Sequence, residues 1–142
     1  MTAMRKFWRL GSAERGLLLN AGILVVVYRV ALWVLPWHRV AALRPSPGIS
    51  RASRFTVDSM ESAVRTACRP IPRASCLTQA LALHHLLARA GYASSIHIGV
   101  AKASGGGFEA HAWVEYGGVT LLSSTSDVAH YSQLLALQAR SL

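Results

Sequence analysis

Ser-Cys-Leu-Thr-Gln-Ala-Leu-Ala-Leu-His-His-Leu-Leu-Ala-Arg-Ala-Gly, residues 75–91, precedes Ile-His-Ile-Gly-Val at 96–100 and Ala-His-Ala-Trp-Val-Glu-Tyr at 110–116. In the first stretch Cys76, Ala80, Leu83, Leu87 and Ala90 recur four and three residues apart, which predicts a helix with one buried face. Ser75 can cap its start and Gly91 its end. Past Gly91 the period falls to two. Ile96, Ile98 and Val100 alternate with His97 and Gly99 as a strand, and 110–116 form a second with His111, Trp113 and Glu115 on one face. Gly117-Gly118 signals a two-residue hairpin leading into a third strand from Val119 to about Ser124. The tail from about Asp127 to Leu142 reads as a helix. The order helix, then sheet, sets the class as α+β.

Upstream, the first thirty-five residues read as one helical segment, with Ser12 and Glu14 as a start signal and Pro36 as its stop. Leu17–Leu35 is nearly all apolar, interrupted by Asn20 and Arg29. It is long enough to span a bilayer, but Arg29 inside it would cost about 2.5–3.5 kcal/mol. Packing on the domain, or lying at a membrane or protein surface, is the expected arrangement. Residues 44–54 are a Pro/Ser/Arg-rich connector, and Val57–Cys68 repeats a helical stripe through Met60, Val64 and Ala67. The expected organisation is a basic, apolar helical segment (1–43), the connector (44–54) and the core (55–142).

A chain of 142 residues, 52% hydrophobic and 15% charged, is one ordinary domain and too apolar for disorder. Two cysteines exclude a disulfide scaffold and a four-thiolate zinc site. No signal-peptide cleavage site closes the apolar run, so the cytosol is the expected compartment. The net charge of +9 is one-sided. Twelve of the fifteen basic residues and three of the six acidic ones fall in residues 1–73, so the whole excess sits there. An anionic partner fits that half, and so does a plain solvated surface. Aromatic residues are too few and unpatterned for base stacking, which speaks against nucleic acid.

Cys76 has a physical reason to react. Unpaired N–H groups and the positive end of the helix dipole stabilise a thiolate there, and the same N–H groups can bind an oxyanion. The commoner fate of a lone cysteine is to pack as a small apolar residue. His111 shifts that balance, because a strand packed on the helix start can hold a base for the thiol, with Trp113 shielding it from water. Cys68 falls in the last turn of its helix, where the dipole has the wrong sign, and reads as core. His84 and His85 lie within the helix with no spaced partners for a metal.

The three quoted stretches, with the basic and apolar start around Ser12-Ala-Glu-Arg and Leu17-Leu-Leu, resemble the lasso-peptide leader peptidases. These are the protease part of the lasso-peptide B protein and have a transglutaminase-like, papain-like fold. The resemblance implies N-terminal helices followed by such a core, and a cysteine peptidase that removes the leader from a ribosomally made precursor. It implies Cys76 as nucleophile and His111 as base, a separate leader-binding protein and a macrolactam synthetase as partners, and a threonine two residues before the core peptide. No cofactor or metal enters this reading.

One departure stands out. The family places an aspartate about a dozen residues after the histidine, where this chain has Ser123 and Ser124. If Tyr116 pairs with Val119, His111 lies opposite Ser124. Asp127 reaches the imidazole only if the strand ends and the chain bends back. Glu115 is about 13 Å along the strand, too far to orient the ring. A Cys–His dyad helped by Ser124 or Asp127, or a weakened site with neither, fits these positions; Asp127 is carried as the catalytic candidate, and His97, Trp113 and Ser124 as candidate substrate contacts. The alternatives are a non-catalytic scaffold module of the same fold, and a basic protein acting at a membrane surface.

Overall fold

The computed structural model describes residues 2–43, 45, 55–71, 75–123 and 128–138. In chain order these form α1 (Thr2–Arg9), α2 (Ser12–Val34), α3 (Trp37–Ala42), α4 (Val57–Cys68), α5 (Cys76–Arg89), β1 (Ser95–Lys102), β2 (Phe108–Tyr116), β3 (Val119–Leu121) and β4 (Ser132–Gln138). The strands make one antiparallel sheet in the order β3-β2-β1-β4.

α5 is the central helix. Its stripe residues Ala80, Leu83 and Leu87 are buried, as expected, but so are Thr78, Leu81, Ala82, Leu86 and Ala88. A helix apolar on nearly every side must be enclosed, and α2, α4 and β2 enclose this one. The sheet contributes Ile96, Ala112, Val114 and Leu121 to the same core. α4 has the bounds read from the sequence, with the Thr56 hydroxyl accepting from the Ser59 N–H at 3.2 Å. The Gly117-Gly118 hairpin takes positive φ at both residues (57° and 80°), the signature of a type I′ turn.

Three expectations need correction. The N-terminal segment is not one helix. The chain breaks at Leu10–Gly11, Gly11 takes the N-cap place expected for Ser12, and the Glu14 carboxylate accepts the Gly11 N–H at 3.3 Å. β3 stops at Leu121 rather than near Ser124. Leu122 turns to φ 66°, and its N–H leaves the ladder to donate to Glu61 Oε1 on α4 at 2.7 Å. The C-terminal residues expected as a helix instead place a strand at Ser132–Gln138, pairing Ile96 with Leu137 and Ile98 with Leu135. The open edge of β1 offers a row of hydrogen bonds, and that outweighs the helix propensity of Leu, Ala and Gln.

Candidate active site

Ser75 caps α5. Its hydroxyl accepts from the Thr78 N–H at 3.3 Å, and the Gln79 N–H bonds the Ser75 carbonyl at 3.1 Å. That leaves the amides of Cys76 and Leu77 without a partner among the described residues. Cys76 is half-buried at the first helical position, at the positive helix end and beside two amides with no acceptor among the described residues. The geometry thus provides the setting in which a thiolate is stabilised and an oxyanion bound.

α5 packs along β2. Its far end is tied by Tyr92, whose ring meets Tyr116 edge-on at 5.4 Å. Ala112 and Val114 face the helices, so His111, Trp113 and Glu115 alternate to the other side of the strand. Among the described residues no hydrogen bond joins Cys76 to His111.

The imidazole of His111 is held instead by Ser123, Nε2 to Oγ at 2.5 Å. The early end of β3 and the turn at Leu122 put this serine in reach, so the imidazole's described partner is a hydroxyl and not a carboxylate. Ser124 and Asp127 lie outside the described residues. Trp113, only 4% exposed, stacks nearly parallel to His111 (centroids 6.2 Å apart) and to His97 on β1 (5.8 Å). Register explains the row, since β1 sets His97 opposite Trp113 and Gly99 opposite His111. Trp113 is thereby walled in by rings, and His97 is half-buried beside it.

Glu115 is too far along the strand to touch His111, as its spacing indicates, yet it organises the row. One carboxylate oxygen accepts the Trp113 indole N–H at 3.2 Å, and the other lies 3.3 Å from His97 Nε2, which also meets the Ser95 hydroxyl at 2.9 Å. Tyr131 closes the other side, with ring centroids 5.2 Å from His111 and 6.4 Å from Trp113. Gly99 makes this closure possible. A Cβ there would come within 2.9 Å of Tyr131 Cβ and 3.0 Å of the Trp113 ring. The sequence reading missed Tyr131, and the signal available for Gly99 was a glycine inside a strand, which marks close approach.

The other titratable candidates are structural. His84, 3% exposed, bonds the Ser94 hydroxyl at 2.8 Å. His85 Nδ1 meets the Tyr28 hydroxyl at 2.9 Å, and burial, then the nearby Arg89 charge, lower its pKa. Burial pushes Tyr28 up to about 12 and raises the Cys68 thiol. Among the described residues no group of three His, Cys, Asp or Glu gathers to hold a metal.

A central helix opening on cysteine, packed against an antiparallel sheet that carries a histidine two residues before a tryptophan, is the core of the transglutaminase-like class. The family model described as the transglutaminase-like superfamily matches residues 22–136, and the chain belongs to that superfamily. The match begins inside α2 and ends inside β4, so it takes in both elements that carry Cys76 and His111. No curated protein and no solved structure gives a significant match to the chain.

Proposed function

We propose that the protein is a cysteine peptidase whose substrate is the leader–core junction of a ribosomally synthesised lasso-peptide precursor. The observation that carries the chemistry is Cys76 at the Ser75-capped start of the central helix, with two amides beside it that have no acceptor among the described residues, on a helix packed against the strand of His111. In this mechanism the Cys76 thiolate attacks the scissile carbonyl, and the Cys76 and Leu77 amides bind the oxyanion. His111 protonates the leaving amine and then takes a proton from the water that hydrolyses the thioester. His111 alternates to the sheet face away from α5, so the imidazole meets the thiol only when it leaves Ser123 and the start of α5 and β2 rearrange on substrate binding. The substrate class rests on the resemblance of residues 75–91, 96–100 and 110–115 to the leader peptidases. Delivery by a leader-binding protein, closure by a macrolactam synthetase and a cytoplasmic site of action belong to the same reading.

A second reading is favoured by one observation: the described partner of His111 is the neutral Ser123. A scaffold of this fold would hold the precursor without cutting it. The test incubates the full chain with a lasso precursor and its leader-binding protein and reads leader release by mass spectrometry. Release that Cys76→Ala lowers at least about 1000-fold supports the peptidase. Precursor binding without release by the wild type supports the scaffold.

A further inference from the structure

The helix α2 is apolar on two opposite faces. Leu17, Ala21, Leu24 and Tyr28 pack inward against α4 and α5. On the opposite side Leu19, Ile23, Val26, Val30 and Val34 recur at helical spacing, each about half exposed or more, and Trp33 beside them is 82% exposed. From Leu19 to Val34 this stripe runs about 22 Å. A groove of about 1040 Å³ lies along part of it, floored by Ile23, Val27 and Ile71 and bordered by Lys6 and Arg69.

We infer that this outer face of α2, together with α1, seats the protein in the plane of an anionic lipid surface. Charge is the first support. α1 presents Arg5, Lys6 and Arg9, all exposed, and Lys6 and Arg69 flank the groove. The acidic residue of α2, Glu14, points away, about 140° around the helix from Leu19. Cations beside an apolar helical face are what draw such a helix to anionic headgroups. Tryptophan is the second support. Trp8 (71% exposed) and Trp33 place indoles on α1 and near the far end of α2, and indoles settle at the boundary between chains and headgroups.

The third support separates lying on a membrane from crossing one. α2 is long and apolar enough to span, with a mean hydropathy of 2.1 over its best window. Crossing would strip its inner face from α4 and α5, whereas an in-plane seat keeps that packing.

The test floats the full chain with phosphatidylcholine vesicles, with and without about one quarter phosphatidylglycerol, at about 50 mM and about 500 mM salt. Co-flotation with the anionic vesicles at low salt is expected, with a blue shift of tryptophan emission that Trp33→Phe removes in large part. Ile23→Glu/Val30→Glu and Arg5→Ala/Lys6→Ala/Arg9→Ala should each weaken binding at least about 10-fold while circular dichroism stays unchanged. No flotation with either vesicle overturns the inference, as does wild-type binding by Ile23→Glu/Val30→Glu. So does a dimer that this variant dissolves without any vesicle binding, which would assign the face to a second copy. The cysteine chemistry stands or falls separately, by the leader-release assay.

Discussion

The end of α4 and the start of α5 each carry a cysteine, eight residues apart, and the two are opposites. Cys68 closes a helix, where the dipole disfavours negative charge, and it is buried enough that its thiol pKa rises. Cys76 opens a helix, half-exposed, beside amides that have no acceptor among the described residues. The same side chain thus serves as packing at one helix end and is offered to solvent and substrate at the other. Helix polarity and capping, more than residue type, separate the two.

The comparison breaks most readily by mutation. Cys76→Ala should abolish leader release, a loss of at least about 1000-fold, while Cys68→Ala should leave it intact and cost stability. Equal activity in both variants would dissolve the contrast. Alkylation sharpens it: mass spectrometry against pH should find Cys76 reacting at pH 6, where Cys68 does not, with the difference vanishing in denaturant. His111→Ala should slow Cys76 by about 10-fold at that pH if the imidazole reaches the thiol. Equal alkylation rates for the two cysteines across pH would mean that the isolated chain does not form the pair.

A smaller effect tests the frame around the imidazole. Gly99→Ala should force Tyr131 and Trp113 apart and lower stability by about 1–3 kcal/mol in urea unfolding. It should also slow Cys76 alkylation only if the ring row controls His111. Ser75→Ala should cost about 1 kcal/mol and narrow the gap between the cysteines, because it removes the cap that orders the first turn of α5.

The smallest effect is set by pH. His85 is favoured neutral in the fold, so its folded pKa lies below the usual 6.5. The unfolded chain then binds the proton first. Stability from this group is present above about pH 6.5 and declines as pH falls through that value toward the folded pKa. His85→Gln should flatten that decline in urea midpoints measured between pH 7.5 and 5.

The sequence made α4, α5 and the β2–β3 hairpin legible because each carries a local signal: the apolar stripe of α4, the Ser75 cap and Gly91 end of α5, and two glycines suited to positive φ. At the candidate site the local pattern put Cys76 at a helix start and His111 on a strand, and the described partner of the imidazole is Ser123, one residue before the Ser124 that the hairpin register set opposite it. What escaped depends on neighbours distant in the chain. The stop of β3 is set by Glu61, some sixty residues earlier, and the strand at 132–138 by the vacant edge of β1. Tyr131 joins the rings only because β4 comes to lie there. That His97 stacks on Trp113 depends on the β1–β2 register, which the sequence of either strand does not show. The carboxylate that links them was discounted because only its distance to His111 was considered.

Strand order carries a consequence for how the protein is made. β1 lies between β2 and β4, and β4 leaves the ribosome after β1, β2 and β3. Until residues 132–138 emerge, the nascent chain bears an unsealed Ile-His-Ile-Gly-Val edge, able to pair with whatever strand it meets. During that interval soluble yield is most at risk. Slower elongation before residue 132 should lower recovery, and a chaperone that shields exposed strands should restore it.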